Sequence, residues 1–534
     1  MRTFISVVVV LQAAVAFAQH GSVYARPDAI VDLKAREGVE LLNGQWRYAD
    51  ARIIEVDHRA AGADLKPSGD PIRTHDISPQ AGATDFDDSK WETIAPTALE
   101  ARRATGKLSF NWYRIRLTIP DKIADFNTAG STAIVEIVVD DYAEVWANGK
   151  LSATLGQSGA GVVRGFNAPN RVVLTRDACP GEQFTIAIFG ANGPLSQPPG
   201  NFIWIRSATL DFYAPGRAPG IGEEVAFDVE RLSPEIDQLI PRDARMYKIV
   251  DSIGFAEGPV WVPGTDGVDG HLLFSDPNNN TIYRWSTDGQ LNVFRTKSGY
   301  AGFDIAAYRQ PGSNGLALDP EGRLTICEHG NRRVTRLETN GVITVLTDRF
   351  EGKRLNSPND LVYHSDGTLY FTDPYFGLPN LLGDPRKELP YSGVFCLTRD
   401  GQLRLVSTEL LGPNGLAFSP DERFLYVANW DDHKKIVMRY DVARDGSLTN
   451  GTVFFDMTSA AGEEALDGLK VDRKGNLYVS GPGGVWMISP SAKHLGTLKA
   501  PQLPANMAWG DADGRTLYLA ARSAIYRLRL SGVQ

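Results

Sequence analysis

Cysteine is scarce in this sequence. Only Cys179, Cys327 and Cys396 occur among 534 residues, far apart and without a C-x-x-C pair. This spacing excludes the dense disulfide framework of small exported domains and leaves at most a single bridge open. We expect each cysteine to be a small buried apolar residue.

Basic residues are also in the minority. The chain has 55 Lys and Arg against 64 Asp and Glu, a formal net charge of -9, and its Lys and Arg residues are scattered singly. Holding a polyanion requires clustered positive charge. The sequence therefore predicts no nucleic-acid partner, and it carries no sign of an oligomeric state.

Long apolar runs are missing after the N-terminus. Arg2 precedes an apolar run from Phe4 to Phe17, which ends in the small-residue pattern Ala16-Phe17-Ala18. The run is shorter than the roughly 20 residues of a membrane-spanning helix and is typical of a cleaved secretory signal. We expect residues 1–18 to be a signal peptide, the mature chain to be periplasmic or secreted, and no membrane span to remain. An uncleaved N-terminal anchor is the alternative.

Several catalytic motifs are absent too. The chain contains no G-x-S-x-G elbow, no H-E-x-x-H pair and no phosphate-binding glycine loop. These absences weigh against a serine hydrolase and a zinc protease.

Residues 30–214 are dominated by short alternating segments broken by turns. Such a pattern predicts an antiparallel β-sandwich, and Asn148-Gly149 is a strong hairpin turn because Asn and Gly tolerate positive φ. The motifs of this region are Leu42-Asn43-Gly44-Gln45-Trp46, Phe86-Asp87-Asp88-Ser89-Lys90-Trp91, Trp112-Tyr113-Arg114 and the run from Asp140 to Gly149.

Together these motifs resemble the galactose-binding-like jelly roll found beside the catalytic domains of many glycosidases. The resemblance implies a fold and leaves carbohydrate contact open, but it implies no chemistry. Trp46, Trp91 and Trp112 are candidates for stacking on sugars, although large aromatic residues on strands belong more often to the core. The segment 215–243, rich in Pro, Gly and acidic residues, is interpreted as a linker.

The region 244–534 repeats one pattern six times: a polar anchor, an apolar strand, a turn and a second strand. The anchors are 39 to 57 residues apart, close to the roughly 40 to 50 residues of a propeller blade. We therefore predict an all-β chain in which the β-sandwich precedes a six-bladed β-propeller. The strand from Met246 to Val250 is the candidate that closes the ring. The six anchors are Glu257, Asn314, Asn359, Asn414, Asp467 and Asn506.

Equivalent positions of a propeller converge on its central channel, so these anchors predict a ring of oxygen-bearing side chains. Carboxylate and amide oxygens suit Ca²⁺ or Mg²⁺ better than Zn²⁺. The alternative is that Asn and Asp before Gly only serve turns. That alternative does not explain Glu257, and buried carboxylates need compensation, which a cation supplies most simply.

The combined motifs of this half resemble the gluconolactonase and regucalcin family. They are Glu257-Gly258-Pro259, the run from Arg354 to Asp360, Phe371-Thr372-Asp373-Pro374, Pro413-Asn414-Gly415-Leu416 and Leu466-Asp467-Gly468. The resemblance implies metal ligands at Glu257, Asn414 and Asp467, with Asn359 as a ligand or substrate contact and Asp467 also as the base. Ca²⁺ is the first choice of metal, and Mg²⁺, Mn²⁺ and Zn²⁺ stay open.

Further polar residues are candidates for substrate contact: Asn314, His329, Arg354, Asn359 and Asn506. Regucalcin-type members carry an arginine two places before the residue matching Asn359, where this chain has Ser357. Substrate preference is therefore not transferable from them.

The function expected from this resemblance is metal-dependent opening of a sugar-derived lactone, with a sugar lactone or other carbohydrate as partner. A phosphotriesterase or other esterase on the same metal ring is one alternative. A non-catalytic calcium- or carbohydrate-binding protein is the second, and a polysaccharide lyase or glycoside-modifying enzyme is the third. A fold alone does not decide among these functions.

Overall fold

The computed structural model describes residues 21–63, 66–140, 142–151, 169–193, 201–217, 219–264 and 270–531. The predicted signal peptide lies outside these ranges. Strands dominate the described residues, and their helical elements are the α-helices Arg36–Leu41 and Ile236–Leu239 and the 3₁₀ turns Pro96–Glu100, Pro219–Ile221, Ile305–Ala307 and Leu381–Gly383. A helix with the length and apolarity to span a bilayer does not occur in the described part of the chain.

Two antiparallel sheets form the N-terminal region. In spatial order, the larger sheet contains Lys150–Leu151, Tyr142–Ala147, Gln183–Asn192, Ser109–Thr118, Gln45–Arg59 and Pro71–Ser78, with Glu92–Ile94 also paired to Gln45–Arg59. The smaller sheet contains Asn170–Thr175, Thr132–Asp140, Trp204–Tyr213 and Ala29–Asp32. A separate short hairpin joins Lys122–Ile123 to Phe126–Asn127.

One hydrophobic core lies between these sheets. Ile115 from the larger sheet and Val135 and Leu210 from the smaller sheet belong to the same buried cluster. Trp46 is fully buried in it, and its indole N–H donates to the Leu33 carbonyl at 2.9 Å. Trp112 is buried in a separate, smaller cluster and donates to the Pro79 carbonyl at 2.8 Å. Both tryptophans are therefore core residues with satisfied polar atoms.

Six four-stranded antiparallel units form the β-propeller. We number the blades by their inner strands in chain order. One anchor lies within two residues of the start of each inner strand. From inner to outer strand, blade 1 contains Glu257–Val262, His271–Asp276, Thr281–Ser286 and Leu291–Thr296; blade 2 contains Ser313–Leu318, Leu324–Glu328, Arg333–Leu337 and Ile343–Thr347; blade 3 contains Leu361–Tyr363, Leu369–Asp373, Gly393–Leu397 and Leu403–Ser407; blade 4 contains Pro413–Phe418, Phe424–Asn429, Ile436–Val442 and Leu448–Asp456; blade 5 contains Leu469–Val471, Leu477–Gly481, Gly484–Ile488 and His494–Lys499; and blade 6 contains Asn506–Gly510, Thr516–Ala521, Ala524–Arg529 and Met246–Asp251.

The ring closes through blade 6. Its outer strand Met246–Asp251 comes from before blade 1 and pairs antiparallel with Ala524–Arg529 from the end of the last repeat. Ile249 and Val250 of this strand are fully buried, so closure also completes the core between blades 6 and 1. The predicted closing strand is confirmed, and it removes the open edge that the last repeat would expose.

The segment 215–243, which we interpreted as a linker, also extends two blades. Glu223–Val225 pairs with the closing strand of blade 6, and Asp228–Arg231 pairs with His494–Lys499 of blade 5. The Pro and Gly residues on either side hid these strands in the sequence, although Val225, Phe227 and Val229 recur at every second position and pack on the propeller core. Gly21–Ser22 also pairs with the closing strand.

The three cysteines all lie within the described residues and are free. Cys327 and Cys396 are buried, as expected of small apolar residues, whereas Cys179 is exposed. The single bridge that the sequence left open is therefore not formed.

Candidate functional site

The anchors meet at one mouth of the propeller channel. Inner strands begin there and second strands end there, because neighbouring strands of a blade are antiparallel. A cavity of about 310 Å³ opens at this mouth. Five of the six anchors line it, namely Glu257, Asn314, Asn359, Asn414 and Asp467.

Glycines beside the anchors allow this convergence. The N–H of Gly315 donates to the Asn359 carbonyl at 2.7 Å, and the N–H of Gly415 donates to the Asp467 carbonyl at 3.1 Å. A Cβ on Gly315 would lie 2.5 Å from the Asn359 carbonyl oxygen, and one on Gly415 would lie 2.6 Å from that of Asp467. The Asn-Gly pairs therefore serve close packing of inner strands around the channel axis, rather than turns alone.

The anchors that line the cavity, Glu257, Asn314, Asn359, Asn414 and Asp467, form its floor. Two of them, Glu257 and Asp467, are buried carboxyl groups. Burial raises the pKa of Glu257 to about 7, and the charge of Asp360 acts in the same direction. Burial also raises the pKa of Asp467 well above its usual range, with the charges of Glu257, Glu464 and Asp360 adding to the effect. Hydrogen bonds from the Gly258 N–H to Glu257 and from Asn414 to Asp467 oppose these rises only in part. The floor is an acidic environment that a cation would relieve.

The donor set fits a hard cation that takes amide as well as carboxylate oxygens. The side-chain oxygen of Asn359 is buried and has no hydrogen-bond partner among the described residues. Such an orphaned acceptor is rare in protein interiors. The described ranges hold no cluster of three or more His, Cys, Asp or Glu residues suited to a metal. A cation here would therefore combine Glu257 and Asp467 with the amides of Asn359 and Asn414, which suits Ca²⁺.

Asn506, the sixth anchor, lies behind this floor rather than on the cavity lining. Its amide nitrogen lies 3.2 Å from a Glu257 carboxylate oxygen and 3.3 Å from one of Asp360. The Lys470 ammonium lies 3.8 Å from the same Asp360 oxygen. Asn506 thus holds the Glu257 carboxylate in place and separates it from a second acid.

Asp373 fixes the loop that leads to Asn359. Its two carboxylate oxygens accept from the N–H groups of Asn356 at 2.7 Å and Ser357 at 2.8 Å. The Ser357 hydroxyl in turn donates to the Pro374 carbonyl at 2.7 Å. Burial raises the pKa of Asp373 to about 7, while the two N–H groups favour its charged form. The motif from Arg354 to Asp360 is therefore a preorganised loop.

The structure places two further substrate-contact candidates, besides Asn506, away from the cavity lining. His329 is fully buried behind it, packed near Gly377, and burial lowers the pKa of its imidazole to about 4. Arg354 lies on the hairpin of Arg349–Phe350 and Lys353–Arg354, where its guanidinium donates to the Asn331 carbonyl at 2.5 Å. Arg354 begins the motif that leads to Asn359 and His329 follows the second strand of blade 2, yet neither side chain reaches the cavity lining.

Sequence reasoning missed most of the cavity wall. Many of its residues closely follow the second strand of a blade, where no repeated residue type marks them. They are Asn278 in blade 1, Tyr375 and Phe376 in blade 3, Trp430 in blade 4 and Arg522 in blade 6. The signal available in the sequence was the antiparallel order of the strands in each repeat, because it brings the end of the second strand to the mouth where the inner strand begins. Loop residues between blades complete the wall, among them Arg309, Gln310, Glu464 and Leu503, together with Leu381 from the loop between the second and third strands of blade 3.

Fold and site together define a six-bladed propeller with a polar, acidic floor at one mouth of its channel. Residues 255–523, just over half of the chain, match the family model described as SMP-30/Gluconolactonase/LRE-like region. The chain belongs to this family.

Relatives and solved structures agree with this assignment. The gluconolactonase of Zymomonas mobilis is 35% identical over 309 residues, which is 56% of this chain and 85% of that protein. The lactonohydrolase oryL of Aspergillus oryzae is 24% identical over 212 residues, 35% of this chain and 48% of its own length. The solved structure of a gluconolactonase from Xanthomonas campestris is 30% identical with a TM-score of 0.51, covering 59% of this chain and 99% of that one.

Proposed function

We propose that this chain is a lactonase that opens a sugar-derived lactone with the help of a divalent cation, Ca²⁺ in the first place. The observation that carries the proposal is the floor of the channel, where two buried carboxyl groups and an unpartnered amide oxygen face one cavity. Gluconolactonase and lactonohydrolase relatives support the reaction class.

Glu257, Asn359, Asn414 and Asp467 are the residues that would hold the cation. When bound, the cation supplies charge compensation for the floor and Lewis-acid polarisation of a carbonyl. The rest of the chemistry belongs to side chains of this chain. Asn314 lines the cavity, and we propose it as a contact for the hydroxyl groups of the lactone.

Asp467 is the proposed base. Its carboxylate takes a proton from water as the water oxygen bonds to the lactone carbonyl carbon. The Asn359 amide N–H donates to the developing oxyanion. The bond from the carbonyl carbon to the ring oxygen then breaks, and the ring oxygen receives the proton from Asp467, which leaves an open hydroxy acid.

Acid release by the purified protein tests this proposal. The substrates are a panel of sugar lactones, assayed with a chelator and then with Ca²⁺, Mg²⁺, Mn²⁺ or Zn²⁺ added back. We expect chelator-sensitive hydrolysis of at least one lactone, restored best by Ca²⁺. Hydrolysis of a phosphotriester or simple ester instead would move the activity to the esterase alternative. A cation-loaded protein inactive on every substrate would favour a binding role.

We also propose export of the chain and a galactose-binding-like N-terminal region. The proposal of export rests on the Arg2 and Phe4 to Phe17 pattern, and that of the N-terminal fold on its motifs and on the two sheets that share one core. N-terminal sequencing of the protein from periplasm and medium tests export, because a mature chain beginning at Gln19 is expected there. A chain that retains Met1 in the membrane fraction would support the uncleaved anchor.

A further inference from the structure

The cavity has two chemically different walls. The wall from blades 1 and 2 is mainly polar and presents Asn278, Arg309 and Gln310, with Phe255 as an aromatic residue just before blade 1. The wall from blades 3 to 6 presents mainly apolar side chains, namely Tyr375, Phe376, Leu381, Trp430, Ala465, Leu503 and Pro504, and also the polar side chains of Glu464, Ser480 and Arg522. A bare polyhydroxylated lactone would satisfy the first wall and the floor, yet leave much of the second without a matching surface.

The aromatic part of the apolar wall forms a corner instead of a flat platform. The rings of Tyr375 and Phe376 have centroids 4.9 Å apart and planes at 62°. Those of Phe376 and Trp430 have centroids 6.2 Å apart and planes at 70°. A sugar ring stacks on one flat aromatic face, whereas a corner of tilted rings surrounds a bulky apolar group from more than one side.

Leu381 extends this wall to the mouth of the cavity. Its backbone has a φ of 52°, a left-handed conformation that is unfavourable for leucine, and its side chain is 45% exposed. Asp384 stabilises the loop by accepting from the N–H groups of Asn380 and Arg386, both at 2.9 Å. A strained residue that displays an apolar side chain at a cavity mouth indicates a ligand contact.

A second loop adds apolar surface near this mouth. Arg386 ties the two loops together, because its guanidinium lies 3.1 Å from the Tyr308 hydroxyl and 3.4 Å from an Asp304 carboxylate oxygen. Phe303 and Ile305, on either side of Asp304, are both exposed. The two loops therefore present exposed apolar side chains from both sides of the contact that Arg386 makes.

We propose that the preferred substrate is a lactone that carries an apolar substituent, held against Tyr375, Phe376, Trp430 and Leu381 while the lactone ring lies on the floor. This inference rests on the proposed lactonase function and specifies its substrate class. The apolar wall then acts as the specificity determinant, because it selects for carbon atoms outside the lactone ring.

A series of δ-lactones with methyl, propyl and pentyl substituents tests the inference. Burying one methylene contributes about 0.8 kcal/mol, which at about 1.36 kcal/mol per tenfold corresponds to a rise of about fourfold in kcat/KM. We expect kcat/KM to rise with chain length until the wall is covered. Trp430→Ala and Leu381→Ala are expected to flatten this dependence, and Trp430→Phe to retain most of it. Thermal unfolding of each variant checks that it folds.

Val453→Ala is the matched control. Val453 is an exposed apolar residue on the outer strand of blade 4, outside the cavity lining, so its removal should leave the chain-length dependence intact. Hydrolysis of gluconolactone with no chain-length dependence would overturn the substrate class and retain the lactonase. An unchanged dependence in Trp430→Ala would overturn the role of the wall. The absence of hydrolysis with every lactone would overturn both proposals.

Discussion

Asp467 illustrates how the fold creates reactivity at a single residue. An aspartate before a glycine is an ordinary turn residue, but here it is buried beside Glu257 and its pKa is raised well above the usual range by burial first and by neighbouring acids next. Such a shift at a cavity floor is a mark of functional sites. The charged form that catalysis needs is therefore costly without a cation.

Asp467→Asn is expected to lower kcat about 10²- to 10⁴-fold, the usual contribution of a general base. The metal-free variant should be at least as stable as the parent, because the substitution removes a charge that burial and Glu257 disfavour. Lactone turnover and thermal unfolding measure the two effects. Asp456→Asn, at an exposed carboxylate on the end of blade 4, is the control and should retain the activity. Full turnover in Asp467→Asn would exclude it as the base.

Asp373→Asn should change how stability depends on pH. The pKa of Asp373 is raised from 3.8 to about 7, so the folded state holds a proton that the unfolded state has lost between these pH values. The stability contributed by this group is therefore full below about pH 4 and is lost as pH rises through about 7. An asparagine at this position has one side-chain oxygen and cannot accept hydrogen bonds from both the Asn356 and the Ser357 N–H groups. The loss should destabilise the variant by about 1–3 kcal/mol.

Denaturant unfolding of the metal-free protein between pH 4 and 8 measures this effect. The difference in the free energy of unfolding between parent and Asp373→Asn should shrink as pH rises through this window. A difference that stays constant or grows would contradict a raised pKa at Asp373.

At the scale of elements, the inner strands and their glycines decide how narrow the channel is. Each strand start must approach its neighbour closely enough for Gly315 to donate to Asn359 and Gly415 to Asp467. Any side chain at these glycines would separate the strands and move the anchors apart. The floor thus depends on the packing of strands as well as on the anchors themselves.

Gly315→Ala is expected to destabilise the propeller by about 1–3 kcal/mol, the cost of overpacking. Its new Cβ would lie 2.5 Å from the Asn359 carbonyl oxygen and 2.8 Å from the Asp360 Cα. Gly383→Ala is the control, because a Cβ there meets no atom within 4 Å and the change should stay within about 0.5 kcal/mol. Urea unfolding compares the two. Equal stability of both variants would show that the inner strands can separate freely.

At the scale of the whole molecule, the chain contains regions with separate cores. The N-terminal sheets share one hydrophobic cluster, whereas the propeller clusters lie within and between blades. The regions are also joined, because Gly21–Ser22 pairs with the closing strand and the Gln290 amide donates to the Arg171 carbonyl at 3.3 Å. The acidic floor lies in the propeller.

Ca²⁺ should therefore stabilise one region selectively. A cation at 100 times its Kd adds about 2.7 kcal/mol to the region that binds it. In calorimetry with and without chelator, we expect the transition of the propeller to shift upward by several degrees and that of the N-terminal region to stay in place. Near-ultraviolet circular dichroism or limited proteolysis during heating identifies which transition belongs to the propeller and which to the N-terminal region. A shift confined to the N-terminal transition would place the cation elsewhere.

The sequence by itself determined the repeat, the number of blades, the anchors and the closing strand. All of these follow from local patterns: apolar strands of period two, polar residues before them and turns after them. It also indicated the chemistry of the floor, since Glu257 and Asp467 are acids at equivalent positions of two repeats.

Only the tertiary structure decided which side chains share the cavity. It directed Asn506 behind the floor and His329 and Arg354 away from the lining, and it brought Tyr375, Phe376 and Trp430 together as a wall. It also turned the segment 215–243 into outer strands of two blades. The physical reason is that loop direction depends on contacts between blades distant in sequence, which no local pattern encodes.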